Sequence, residues 1–186
     1  MADRVCPPII GYWLLNPLRK LLENPKTILG PFVKEGMTVL EPGPAMGFFT
    51  LPLARMVGPK GKVVVVDVQQ KMLDVLMKRA RKKGLLDRID TRLAKDGGMG
   101  LSDLDGRVDF AAAIHVVHEV PDPAAFFKDI LAALKPGGRL LVIEPKGHVK
   151  PEAFAKSLDI ARKAGFSPAE LPVKIRGRSA LLSRPA

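Results

Sequence analysis

Four valines in a row, Val63 to Val66, sit inside KVVVVD over residues 62–67 with no polar alternation. A run of that kind predicts a strand buried on both faces, as in the centre of a parallel sheet. Around it the chain alternates short β-rich runs with stretches whose apolar residues recur at helical spacing, the pattern of a sheet with helices on both faces. Residues 37–40 predict a first short strand, and residues 48–56 a helix with Leu51 and Ala54 on one face. Met72, Leu73, Leu76, Met77 and Ala80 predict the helix after the valine strand. Gly84 is its stop, because cations (Arg81, Lys82, Lys83) suit a helix C-terminus and glycine suits the left-handed cap.

Further along, Ile89, Thr91 and Leu93 alternate in a weaker strand, and VDFAAAI over 108–114 reads as another buried one. Asp122 followed by Pro123 starts a helix, a side-chain cap ahead of a residue whose missing N–H costs nothing there. Pro136-Gly137-Gly138 ends that helix, and RLLVIE over 139–144 is the fifth strand. Residues 151–164 form a helix stopped by Gly165. Residues 171–174 and 179–183 predict two last strands around Arg176-Gly177-Arg178, a connection too short for a crossover, so the pair is antiparallel. The expected fold is α/β: a doubly wound, seven-stranded, mostly parallel sheet with a C-terminal antiparallel hairpin. Ahead of it, residues 16–30 read as helical and residues 7–13 as an apolar lead. One domain is expected, with 1–35 as a helical lid segment and 36–186 as the core.

At 186 residues the chain suits one domain, and folding should bury roughly 70% of the unfolded surface. The single cysteine, Cys6, gives no intrachain disulfide and no cysteine metal cluster. No run approaches the ~18 apolar residues of a membrane span, and residues 1–6 do not read as a signal peptide. A cytoplasmic protein is expected. The net charge of +11 changes the picture more. Residues 71–95 hold nine basic side chains against three acidic ones. A basic balance favours an anionic acceptor and leaves nucleic acid open. Nucleic acid is the weaker reading, since no aromatic interleaves with the basic run to stack bases.

The chemistry gathers at VLEPGPAMGFFTLPLA, residues 39–54, where a strand breaks sharply on prolines and glycines before a helix. An open parallel sheet binds ligands beyond the C-terminal ends of its strands. Those ends are Glu41, Asp67, Asp96, Ile114-His115 and Glu144. Gly43 and Gly47 permit a tight loop that a ligand can approach. Asp67, about 20 residues beyond, can accept from both hydroxyls of a ribose. The spacing is not that of a dinucleotide fingerprint, because Ala45 and Phe48 stand where its second and third glycines belong.

Glu41-x-Gly43-x-Ala45-x-Gly47 resembles instead the first motif of class I S-adenosylmethionine-dependent methyltransferases, with Ala45 where the family usually has glycine. The resemblance runs from about Gly36 to Ser183 and includes KVVVVDV (62–68), Asp96-Gly97, VDFAAAIHVVHEVPDP (108–123), LKPGGRLLVIEP (134–145) and Ala-Gly-Phe (164–166). It is similar to the small-molecule branch of ubiquinone/menaquinone-type methyltransferases, and it implies a Rossmann-like fold. It implies that Gly43 and Gly47 line the methionine part of the cofactor, with Pro44 stiffening the loop and Glu41 ordering it near the ammonium. Asp67 would hold the ribose, Val68 and Met72 would lie near the adenine, and Asp96, beside Gly97, would accept from its amino group. The backbone of Ile114 and His115 would close the far side.

Methyl transfer from a sulfonium is an in-line displacement that alignment and exclusion of water can largely accelerate. A base is needed only where the acceptor loses a proton. His118 is the candidate, since its ordinary pKa is near neutrality. Glu144 either contacts substrate or closes its strand, and Tyr12 and Trp13 either form a lid or pack the leading segment. No metal is expected: His115-x-x-His118-Glu119 lacks a third spaced ligand. The expected function is methyl transfer to a small-molecule acceptor. An RNA methyltransferase using the basic surface and a non-catalytic cofactor-binding module are the alternatives.

Overall fold

A computed structural model describes residues 23–94 and 98–186. Its elements in chain order are α1 (Pro25–Leu29), β1 (Thr38–Pro42), α2 (Thr50–Met56), β2 (Lys62–Asp67), α3 (Gln70–Lys82), β3 (Ile89–Leu93), β4 (Val108–Ile114), α4 (Pro123–Ala133), β5 (Leu134–Glu144), α5 (Pro151–Ala164), β6 (Ser167–Ala169) and β7 (Arg178–Ser183). The strands form one sheet in the order β3-β2-β1-β4-β5-β7-β6. The first five run parallel, and β7 lies antiparallel between β5 and β6. The order reverses between β1 and β4, which makes their C-terminal ends the switch point where such sheets take ligands.

The period-two geometry of a strand divides the valine run between two cores. Val63 and Val65 pack on one face with α1, α2 and α3 through Leu29, Leu53 and Leu76. Val64 and Val66 pack on the other with α4 and α5 through Phe127, Ile130 and Ala161. The helix ends obey the local chemistry. Asp122 Oδ1 accepts from the N–H groups of Ala124 and Ala125, each at 3.0 Å. Gly84, at φ +64, closes α3 as the sequence requires. Its N–H and that of Leu85 reach back to the carbonyls of Arg81 and Ala80, both at 3.1 Å, the paired bonds of a Schellman cap.

Two expectations are corrected. α4 ends at Ala133 and β5 begins at Leu134, where it pairs with Val108, so Pro136-Gly137-Gly138 lies within the strand and does not end the helix. The first arm of the closing hairpin is Ser167–Ala169, paired with Ser183, Leu182 and Leu181, and not residues 171–174. Leu171, Val173 and Ile175 alternate like a strand, but they pack half-buried against the core cluster beneath. That one-sided packing satisfies the alternation without a strand ladder. Of the leading segment, the described part is α1, capped by the Asn24 side chain accepting from Lys26 N–H at 3.0 Å. Ile28, Leu29, Phe32 and Val33 are buried in the core. Tyr12, Trp13, Asp96 and Gly97 lie outside the described residues. Among the described residues, no helix is long and apolar enough to cross a membrane.

Candidate functional site

β1 delivers Glu41 and Pro42 to the switch point, and the chain then turns through three left-handed residues: Gly43 (φ +67), Ala45 (φ +47) and Gly47 (φ +83). Gly43 N–H is held by the Val66 carbonyl at 2.8 Å and Gly47 N–H by the Pro44 carbonyl at 2.9 Å. Pro44 is buried. The glycines are needed for their protein neighbours as well as for their φ. A Cβ on Gly43 would lie 2.6 Å from Val116 Cγ2, and one on Gly47 would lie 3.1 Å from Leu76 Cγ. Arg79 on α3 donates to the Met46 carbonyl and fixes the loop from below.

Among the described residues, the two non-glycine residues with positive φ are Ala45 and His115, the latter at φ +57. They follow β1 and β4, the two strands that flank the switch point. Such conformations cost of order 1–3 kcal/mol and persist where surrounding structure holds them, commonly at functional sites. His115 is held by its own N–H on the Ile143 carbonyl at 2.7 Å and by its ring Nε2 at 3.1 Å from Glu23 Oε1.

Two buried carboxylates stand at this corner. Glu41 is 3% exposed, and its Oε2 accepts from the Thr50 hydroxyl at 2.6 Å. Burial pushes its pKa up to about 7, against the hydroxyl's pull downward, with the Asp67 charge adding a smaller push. Asp67 Oδ1 accepts from Gln69 N–H at 2.9 Å. Burial pushes Asp67 up to about 6, although the N–H groups of Gln69, Ala45 and Val68 oppose it, and the Glu119 charge adds to the rise. Carboxylates in this state favour a ligand bringing hydroxyl or ammonium donors. Beside Asp67, Val68 is 60% exposed, the most open large apolar residue described, while Met72 is buried.

A second cluster stands over β4 and β5. Glu144, 1% exposed, accepts from Val117 N–H through Oε1 at 2.8 Å, and its Oε2 contacts His118 Nδ1. Glu119 Oε1 lies 3.9 Å from His118 Nε2. The Glu144 contact raises the His118 pKa above its ordinary value, against burial that lowers it, with Glu119 adding to the rise. The residues proposed from sequence therefore converge: Glu41, Gly43, Pro44, Gly47, Asp67, Val68, Ile114, His115, His118 and Glu144 all stand at one end of the sheet. Sequence reasoning weighed Glu119 only as a metal ligand and missed Val116, Glu23 and Arg79, which join the pieces across the chain. Only knowledge of the strand order would have found them. Among the described residues no group of three potential metal ligands forms.

This sheet order, with its final antiparallel strand and its ligand corner after β1, defines a class I methyltransferase fold. A solved S-adenosylmethionine-dependent methyltransferase from Aquifex aeolicus superposes with a TM-score of 0.81 at 29% identity, over 96% of this chain and 97% of that one. Residues 20–164 match the model of the ubiE/COQ5 methyltransferase family, and the chain belongs to that family. Among curated relatives, a demethylmenaquinone methyltransferase of Lactobacillus johnsonii is 33% identical over 64% of this chain and 48% of its own length. A ubiquinone/menaquinone biosynthesis C-methyltransferase of Shewanella woodyi is 30% identical over 69% of this chain and 51% of its own. The chain thus spans about half the length of the curated relatives it matches.

Proposed function

We propose that this chain binds S-adenosylmethionine at the C-terminal ends of β1, β2 and β4 and transfers its methyl group to a small-molecule acceptor. The observation that carries the reading is the convergence of two strained residues, Ala45 and His115, and two buried carboxylates, Glu41 and Asp67, on the switch point. Family membership and the Aquifex likeness support it. The residues fit the cofactor: Asp67 presents a carboxylate to the ribose hydroxyls, Val68 offers an exposed apolar surface to the adenine, and Glu41 stands below the loop that would face the ammonium. Gly43, Pro44 and Gly47 shape that loop, Met72 packs beneath the adenine edge, and Ile114 and His115 close the far side. Asp96 and Gly97 keep the adenine role their resemblance implies. The bound cofactor supplies an electrophilic methyl on a sulfonium, and the protein's task is to align the acceptor with it and exclude water.

The acceptor is read as a neutral small molecule. The ionisable groups gathered at the site are chiefly carboxylates and histidines, so the overall positive charge does not describe the cleft. Part of that charge sits on the last turn of α3, at Arg81 and Lys82. A helix that returns antiparallel to its strand carries its C-terminal end away from the ligand edge, by ~1.5 Å per residue.

A thermal-shift titration with S-adenosylhomocysteine, using NAD as the control, tests the cofactor. At about 100 times its dissociation constant a ligand stabilises by roughly 2.7 kcal/mol, a rise of about 5–10 °C for a domain of this size. The expected result is a rise with the adenosyl ligand, none with NAD, and loss of the rise in Asp67→Ala. No response, or an equal response to NAD, overturns the assignment.

A further inference from the structure

Glu144 is a carboxylate that cannot itself reach a substrate. Its side chain is 2% exposed, whereas that of His118 is 27% exposed. Anchoring the loop needs only Oε1, which takes the Val117 N–H at 2.8 Å. The second oxygen is spent on the imidazole, at Nδ1. A carboxylate that is ionised only accepts hydrogen bonds, and against such a partner the neutral ring carries its proton on Nδ1 and its lone pair on Nε2. This is the base-and-orienter arrangement that activated sites share.

The placement ties the ring to the methyl donor's corner. Val116, two residues before His118, packs directly on Gly43, where an added Cβ would come within 2.6 Å of it. Glu119, the next residue, acts electrostatically on both Asp67 and His118. The turn carrying these residues leaves β4 through the strained His115 and lies over β5, whose Ile143 is paired with Ile114.

Resting on the function proposed above, we propose that His118 is the general base of the methyl transfer and that Glu144 is the positioning residue that fixes its tautomer and aim. The acceptor atom then carries a proton in the ground state. Its electron pair forms the bond to the methyl carbon while the carbon–sulfur bond breaks and leaves its pair on sulfur. The acceptor's proton passes to His118 Nε2, the resulting imidazolium is held against the Glu144 carboxylate, and the proton then leaves to water, one per methyl transferred. The charged and titratable groups facing the ring are Glu144 from β5, Glu119 from its own turn, and His148 from the loop after β5, with ring centroids 6.4 Å apart. Both carboxylates stabilise the imidazolium, so the rate rises with pH through a His118 pKa above the ordinary histidine value.

The test begins with imidazole nitrogen NMR on the whole chain, which has only three histidines to assign. The expected result is an Nδ1–H tautomer for neutral His118 and a pKa that falls in Glu144→Gln. An Nε2–H tautomer overturns the proposal, and the wild-type tautomer decides this even if Glu144→Gln does not fold. Methyl transfer from labelled S-adenosylmethionine to phenol, thiol and amine probes follows. His118→Asn should lower kcat on proton-bearing acceptors by ~10²–10⁴-fold with KM little changed, and Glu144→Gln should move the acidic limb of the pH profile to lower pH. Wild-type turnover in His118→Asn overturns it. Both variants should keep the S-adenosylhomocysteine thermal shift, so loss of the base and loss of the cofactor reading give different results.

Discussion

Replacing Glu41 by Gln is expected to stabilise the ligand-free protein at pH 8 by up to about 3 kcal/mol, and to leave it nearly unchanged at pH 4.5. Burial raises the Glu41 pKa from an ordinary 4.5 to about 7. A carboxyl raised in this way is protonated more readily folded than unfolded. Its contribution is fully present below pH 4.5, is lost as pH climbs through about 7, and is absent above that. Each pKa unit corresponds to ~1.4 kcal/mol, which gives the upper figure. Glutamine keeps an oxygen to accept from Thr50 but adds an N–H₂ that needs partners, so the realised gain is smaller. Thermal melts at the two pH values check it, at ~2–4 °C per kcal/mol for this size. A gain of equal size at both pH values, or destabilisation at pH 8, would refute the assignment of a desolvated charge. Asp67, raised from 3.8 to about 6, has the same sign and lower bounds. Both charges are therefore costly until a ligand supplies donors. S-adenosylhomocysteine binding should tighten from pH 5 to pH 8, and Glu41→Gln should weaken it even as the free protein grows more stable.

That trade-off bears on what the sequence could reveal. Glu41 and Asp67 were legible because each ends a β-rich run, one before a glycine corner and one after four valines. Their consequence, a pair of desolvated carboxylates at one corner, depends on β1 and β2 lying side by side, as in the Glu41–Val65 register. β2, β4 and α5 begin and end where their patterns say, since an unbroken apolar run and a Pro-to-Gly bracket leave little freedom. The residues 171–174 did not, because alternation reports burial on one side and says nothing of whether a neighbouring strand supplies the ladder. His118 was a candidate by type and place. Its partner was not, since Glu144 lies across a helix and a strand in the chain and arrives only because β4 and β5 are neighbours.

The contact between Gly43 and Val116 gives the second large effect. Gly43→Ala should cost ~2–5 kcal/mol of stability and abolish the S-adenosylhomocysteine thermal shift. Two penalties combine. At φ +67 an alanine pays ~1–2 kcal/mol for the left-handed conformation. Its Cβ also lies 2.6 Å from Val116 Cγ2 and 3.0 Å from Val116 Cβ, and overpacking of this kind costs ~1–3 kcal/mol. Val116 is a β-branched side chain between strained His115 and Val117, whose N–H is bound to Glu144, so it cannot yield without disturbing the turn that carries His118. Urea unfolding of Gly43→Ala, of Val116→Ala and of the double variant separates the two. The double variant should recover the part of the packing cost due to the Val116 Cγ2 methyl and retain both the φ part and the 3.0 Å Cβ contact, a coupling of ~1–3 kcal/mol. Additive losses would mean that the glycine answers only to its backbone angle. A large coupling would mean that the loop after β1 and the turn carrying His118 move as one body, which is what the proposed site needs if methyl donor and base are to meet the same atom.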